Sequence, residues 1–461
     1  GNTRRNCLAD LGMGFTGLAL GSLLATDGSS RLATAADVPE PASRPPAKAK
    51  SVIWYFMLGG TSHLESFDYK PAINRYAGLT IDESPYRSTV LDSPHYRKNV
   101  RDFAGTPRAL MAQLYPLQIG FQRRGQCGME VSDWWPHVGS CADDLAVVRS
   151  MWTTDNDHAA QLQFHTGRHI FDGFHPSIGS WINYGLGSLN SNLPEFVVMG
   201  GGPGDCCGGV GAHSGSYLGP EFSGIPMSTD PANPLAFGTP GTSVSRIERT
   251  RQLQLLQQLN GYAAVEYPDD PIMRARIQSY EMAFRMQMSV PEVVSLTQET
   301  QQTQQAYGIG NPTTDRVARC SLTARRLVER GVRFVQIYSG GMENQRSWDG
   351  HEDIAGNHRG FARETDQPIA GLLADLAQRG MLDDTLVVWA TEFGRGPATQ
   401  GINSTGRDHH PTAFTCFLAG AGVRPGEHYG TTDEVGYFVA ENPVTIYDFH
   451  ATILHLLGIH H

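Results

Sequence analysis

Short apolar runs, each closed by glycine or small polar residues, recur along the chain. Ser51-Val-Ile-Trp-Tyr-Phe-Met-Leu58, Phe196-Val-Val-Met199, Val332-Arg-Phe-Val-Gln-Ile-Tyr338 and Thr385-Leu-Val-Val-Trp-Ala-Thr391 have the length and continuity of parallel strands buried on both faces. A shorter run, Ala146-Val-Val148, predicts a further strand. Between the runs, helical spacing predicts helices over Asp157–Thr166, Val317–Arg330, Phe361–Arg379 and the closing stretch from Asp448 to Ile459. Gln-rich amphipathic helices are expected at 246–260 and 271–289. Repeated strand–helix–strand alternation predicts an α/β fold, a mostly parallel central sheet flanked by helices. Residues 69–130 and the Gly/Pro/Ser-rich stretch 185–245 read as long loops, the latter forming one wall of a cleft.

In such a sheet, ligands bind where strands end, and the polar residues concentrate there. After the first run come Gly59-Gly60 and then His63, Glu65 and Asp68. After Ala146–Val148 come Thr154, Asp155, Asp157 and His158, with Asp155 or Asn156 placed to cap the following helix and Gly167 to end it. A helix start at a strand end favours an anion, and His158 and His165, two turns apart, would share a face. Asp349, His351 and His358 follow the third run; Glu392, Arg395, Arg407, Asp408 and His409 follow the fourth. Carboxylates and imidazoles gathered from separate loops are the donor set of a Zn, Mn, Fe or Ca site. The metal-ligand candidates are His63, Glu65, Asp68, Asp349, His351, Glu392, Asp408 and His409. Asp157, His158 and Thr154 are candidate nucleophile or base, and Arg395 or Arg407 could grip an oxyanion.

Composition narrows the partners. The net charge is −10 with no basic stripe, which disfavours nucleic acid. The seven cysteines contain no C-x-x-C, which excludes a zinc knuckle, a thioredoxin site and haem attachment of that type. The adjacent Cys206-Cys207 reads as loop packing or half of a disulfide. Arg4-Arg5 ahead of a Gly-rich apolar run predicts a twin-arginine export signal over residues 1–38, retained by the chain, and hence a bacterial periplasmic or envelope location. Residues 8–25 could associate with a membrane, although Asp10 and the glycines argue against a firm span. Residues 39–50 read as a Pro-rich linker and 51–461 as the folded domain. A homo-oligomer or an envelope protein complex is the expected assembly.

These motifs carry a resemblance. Thr385-Leu-Val-Val-Trp-Ala-Thr-Glu-Phe-Gly394 is similar to the strand-then-Ser-Asp-His-Gly segment of sulfatases. Phe164-His-Thr-Gly-Arg168 is similar to their Leu-Leu-Thr-Gly-Arg helix end, and Asp448–Ile459 to their closing helix. Together they resemble the alkaline phosphatase/sulfatase superfamily. Gly59-Gly-Thr-Ser-His-Leu-Glu-Ser-Phe-Asp68, Glu392-Phe-Gly-Arg395, Gly406-Arg-Asp-His-His-Pro411 and Gly430-Thr-Thr-Asp-Glu-Val-Gly436 resemble, more closely, the bacterial sulfatase-like domain-of-unknown-function family 1501. The resemblance implies divalent metals and hydrolysis of sulfate or phosphate esters. It also exposes departures. Gly59-Gly60 stand where sulfatases have paired metal-binding Asp, Asp157 and Gln161 where they have the formylglycine precursor and an Arg, and Glu392-Phe393 where they have Asp-His. No formylglycine can form here. A non-catalytic subunit and an anion- or carbohydrate-binding protein are the alternatives.

Overall fold

The computed structural model describes residues 45–88, 113–235, 291–341, 347–400 and 404–460, with scattered positions between 248 and 290. The export segment, including residues 8–25, and nearly all of the expected Gln-rich helices therefore lie outside the described residues.

The continuous apolar runs become the centre of the sheet. Strands β1 (Ser51–Met57), β2 (Leu145–Trp152), β3 (Phe196–Met199), β4 (Ile225–Pro226), β5 (Phe334–Ser339) and β6 (Thr385–Ala390) are joined by β9 (Phe414–Ala419), β10 (Glu427–Tyr429) and β11 (Val444–Thr445). The nine-stranded order is β10-β2-β9-β6-β1-β5-β3-β4, with β11 also paired to β2. β1 pairs in parallel with both β5 and β6, and β9 alone runs against its neighbours β2 and β6. The mostly parallel α/β sheet expected from the sequence is what forms.

Each strand side packs its own layer, because alternate side chains point to opposite faces. On β1, Ile53, Tyr55 and Met57 face α3 (Asp315–Glu329) and α4 (Ile354–Gln378). Val52, Trp54 and Phe56 face the layer containing α1 (Ala160–Thr166), α2 (Ile178–Leu186) and α5 (Ile446–Leu456). The closing helix begins at a reciprocal cap between Thr445 and Asp448. α4 starts earlier than Phe361, because the Asp353 side chain accepts from Gly356 N and nucleates the extra turns. Residues 48–50, expected in the linker, are hydrogen-bonded into the fold, Ala49 N to Leu456 O at 2.8 Å and Lys50 N to Asp384 O at 2.7 Å.

Two local expectations change. α1 begins at Ala160 rather than Asp157, with no side-chain cap, so His158 sits in the turn before it. A helix this short gives no anion site at its start. His165 does not share a functional face with His158; it is buried against Trp54 and Phe56. Second, the segment after Glu392 is a hairpin, β7 (Gly394–Thr399) against β8 (Arg407–His410), with a register shift between Arg407 and His409. Its polar, Gly-containing strands lack the alternation that marks strands in sequence.

Candidate metal centre

The hairpin, the β2–α1 turn and the loop after β5 meet over the carboxyl ends of β1, β5 and β6. Gly59 takes φ +111, and a Cβ there would lie 2.6 Å from Asp349 N, so only glycine lets the Asp349 loop close down. Trp348 anchors that loop: it is buried, stacked on Trp135 at 5.8 Å, and its backbone N–H donates to Leu58 O at 2.7 Å.

Among the described residues, His158, Asp349, His351 and His409 present ligand atoms that all lie within 4.8 Å of one another. Asp349 is the hub. Its Oδ1 is 2.9 Å from His351 Nε2, 3.3 Å from His409 Nε2 and 2.6 Å from Arg395 Nη2; its Oδ2 is 3.1 Å from His158 Nε2. The outer nitrogens of two of the three imidazoles are held from behind by hydrogen bonds, and a carboxylate stands farther off behind the third. His158 Nδ1 lies 3.1 Å from Glu392 Oε1, His409 Nδ1 lies 3.1 Å from Asn156 O, and His351 Nδ1 lies 3.8 Å from Asp408 Oδ1. For His158 and His409, the acceptor behind Nδ1 places the ring proton there and leaves Nε2 as a lone pair facing inward. This is the arrangement by which outer groups orient metal-ligating histidines.

Without a cation the inward-facing groups conflict. His351 Nε2 and His409 Nε2 approach to 2.9 Å. His158 Nε2 is buried beside Asp349 yet makes no aligned hydrogen bond. A positive ion among three lone pairs and a carboxylate removes both conflicts, so the residues fit a single metal ion. The protein answers the conflict with protons. Burial opposes charge on His158, but the adjacent Asp349 and Glu392 carboxylates outweigh it and raise its pKa to about 9. Burial likewise disfavours the Asp349 carboxylate, but His158, His351, His409 and Arg395 hold its pKa far below the usual range. Burial drives His409 well down, helped by Arg395 and the other imidazoles.

Glu392 is a holder here rather than one of the four converging groups. Its fully buried carboxylate accepts from Gly59 N at 2.8 Å and Gln161 Nε2 at 2.9 Å as well as facing His158. Asp408 also stands behind a histidine. Arg395 is fully buried and spends its donors on Gly59 O, Gly60 O, Arg407 O and Asp349, so it positions Asp349 instead of reaching for an oxyanion. Phe393 packs against the rings of His158 and His409. Asp157 is half-buried and not among the converging groups. Its carbonyl accepts from Ala160 N at 2.8 Å.

The structure does not bring His63, Glu65 and Asp68 into the cluster. They lie on the same rim, where other partners hold them. His63 Nε2 bonds Gly436 O at 2.9 Å, and burial lowers its pKa. Glu65 faces Arg407 at 2.6 Å with both side chains fully buried. Asp68 pairs with Lys70 at 3.1 Å and accepts from Thr432. Arg407 also donates to backbone carbonyls of Gly396, Pro397, Tyr115 and Pro116, leaving no free fork for an anion. Sequence reasoning missed the Asn156 carbonyl, which has no side-chain signal. It named Gln161 only as the residue in the place of a sulfatase Arg and missed that its side chain holds Glu392, although its place one turn after His158 was a usable signal.

A family model described as a protein of unknown function, DUF1501, matches residues 49–461. No curated protein matches the chain. Among solved structures, the chain is similar to the lipoteichoic acid synthase LtaP from Listeria monocytogenes, at 10% identity and TM-score 0.39 over 91% of this chain and 74% of that one. It is similar to the alkaline phosphatase of the Antarctic bacterium TAB5, at 12% identity and TM-score 0.33 over 91% and 99%. It is also similar to the PsFucS1 sulfatase from Pseudoalteromonas sp., at 11% identity and TM-score 0.34 over 96% and 70%.

Proposed function

The chain belongs to the DUF1501 family, and from that premise we propose that it is an exported, metal-dependent hydrolase of sulfate or phosphate esters. The observation that carries the reading is the convergence of three imidazole Nε2 atoms on one partly buried carboxylate. His158, His351 and His409 would hold the ion through Nε2 and Asp349 through its carboxylate. Three nitrogen donors in four favour Zn, Mn or Fe over Ca, which prefers oxygen. Once bound, such an ion supplies Lewis acidity and an activated water. The chain's own part is to keep that site rigid and dry. Glu392 and Asn156 O fix two imidazoles, Arg395 fixes Asp349, and Phe393 closes one wall. Asp408, 24% exposed at its side chain and beside His351, is placed to take a proton at the rim. None of the four converging groups is a hydroxyl or thiol, and in this reading all four serve as ligands.

The ester class comes from the motif resemblance and export from Arg4-Arg5. The test is turnover of p-nitrophenyl sulfate and p-nitrophenyl phosphate by protein loaded with one equivalent of Zn, Mn or Fe. Chelator-sensitive turnover of either, lost in His351→Ala, is expected. A fully loaded protein that hydrolyses neither overturns the hydrolase reading.

One observation favours a second reading, that of a subunit in an envelope assembly or a homo-oligomer. Phe171, Phe174, Tyr184 and Tyr217 are 71, 88, 56 and 65% exposed, and Trp181 links the two tyrosines. Exposed aromatic surface of this kind marks interaction sites. Sedimentation velocity on the wild type and on Phe174→Ser with Tyr217→Ser decides it. Assembly lost in the double variant supports the reading, and a monomeric wild type removes the homo-oligomer.

A further inference from the structure

Cys206 and Cys207 end a single tight turn, Asp205–Cys207, which leads into Gly208 at φ +107. Cys206 is exposed and Cys207, the next residue, is 2% exposed; both are free thiols. The turn lies hard against α1: a Cβ on Gly208 would fall 2.7 Å from the Leu162 Cβ. Burial and Cys206 disfavour the Cys207 thiolate, and the nearby Glu392 and Asp157 carboxylates add to this. The turn that carries the pair therefore packs on the helix whose Gln161 holds Glu392. Among the described residues no cysteine belongs to a metal-ligand cluster, so thiolate coordination leaves the pair unexplained.

We propose that Cys206 and Cys207 are a modification site, closing to a reversible vicinal disulfide at the expense of a small-molecule disulfide, and that closure weakens cation binding at the His158–Asp349–His351–His409 cluster. The second half rests on the metal-binding reading above; the first does not. The exposed Cys206 thiolate attacks one sulfur of the oxidant, forming a mixed disulfide and releasing one thiol. Cys207 sulfur then attacks Cys206 sulfur, its proton goes to solvent, and the second thiolate leaves and is protonated. Both protein thiols are oxidised and one external disulfide is reduced to two thiols. Neighbouring Cα atoms stand about 3.8 Å apart across a trans peptide, short of the roughly 4.4–6.8 Å of ordinary disulfides. The bond is therefore strained and easily reduced, a property of labile rather than structural disulfides. Ring closure must twist the 206–207 peptide, which carries the Cys207 N to Gly204 O hydrogen bond of 2.9 Å. That motion pushes on α1, whose Gln161 holds Glu392.

The experiment treats the full-length reduced protein with oxidised glutathione. Expected are loss of two hydrogens in intact mass, a 206–207 crosslink in the peptide map, and reversal by dithiothreitol. In Cys207→Ser a glutathione adduct at Cys206 should accumulate instead. Zn affinity of the oxidised wild type should fall about tenfold or more, as when an outer holder of a ligand is lost, while Cys206→Ser shows no such oxidant effect. Cys206 and Cys207 both still alkylatable after oxidation, or a crosslink mapped elsewhere, overturns the modification site. A mapped vicinal disulfide with unchanged Zn affinity overturns the coupling. A reduced protein that binds no metal at all defeats the metal reading and, with it, the coupling, and leaves the mass readout standing.

Discussion

Glu65 and Glu392 are both fully buried glutamates on one rim, and their partners assign them different work. Glu65 neutralises Arg407, so Glu65→Ala would strand a buried guanidinium. Breaking such a pair costs about 3–5 kcal/mol. Denaturant unfolding should show that loss while the folded fraction keeps its full metal content. Glu392 instead braces His158. Glu392→Gln keeps the shape but weakens the acceptor, and metal affinity should drop about 10–100-fold with little change in stability. Equal metal content in Glu392→Gln and wild type under competing chelator would contradict this. The residues that converge predict a third outcome. His409→Ala and Asp349→Ala should each empty the site without unfolding the domain, read by elemental analysis beside circular dichroism; unchanged metal in both would remove the assignment.

At the scale of elements, the β7–β8 hairpin delivers Arg395 and His409, which are paired residues in its register. Its seat is narrow. A Cβ on Gly406 would fall 2.0 Å from the His351 backbone carbonyl, so Gly406→Ala must move either the hairpin or the His351 loop. The expected result is a lower unfolding midpoint together with lost metal affinity, both absent in an exposed control such as Gly360→Ala on α4, where φ is not positive and nothing lies within 4 Å. The same elements show what sequence could and could not reveal. β1, β3, β5 and β6 were legible because burial on both faces leaves a continuous apolar run. The hairpin was not, because its side chains are spent on polar partners and its register shift breaks any alternation. Asp349, His351 and His409 were recognisable as rim residues from their position after strands. The sorting of Glu392 and Asp408 behind the histidines, and of Glu65 against Arg407, depends on which loop lies over which strand. No spacing along the chain encodes that.

For the molecule as a whole, buried neutral histidines set an acid limit. Burial holds His165 and His410 down to about 3 and His450 to about 4. In the unfolded chain these groups titrate near 6.5. Between those values the unfolded state binds more protons than the folded one, so their contribution is complete above about pH 6.5 and is lost as pH falls toward 3. Urea midpoints should therefore decline from pH 6.5 to pH 4, and His450→Gln should flatten part of that slope. A decline of equal steepness in His450→Gln would remove that residue from the account.

The central claim is that loops far apart in the chain fold into one cation site over the strand ends. Anomalous X-ray scattering from crystals of the protein, purified without chelator or added metal, tests it most directly. One transition-metal peak bounded by His158 Nε2, His351 Nε2, His409 Nε2 and the Asp349 carboxylate is the expected result. A protein free of metal even after incubation with Zn, Mn or Fe, or an ion bound at other residues, would contradict it.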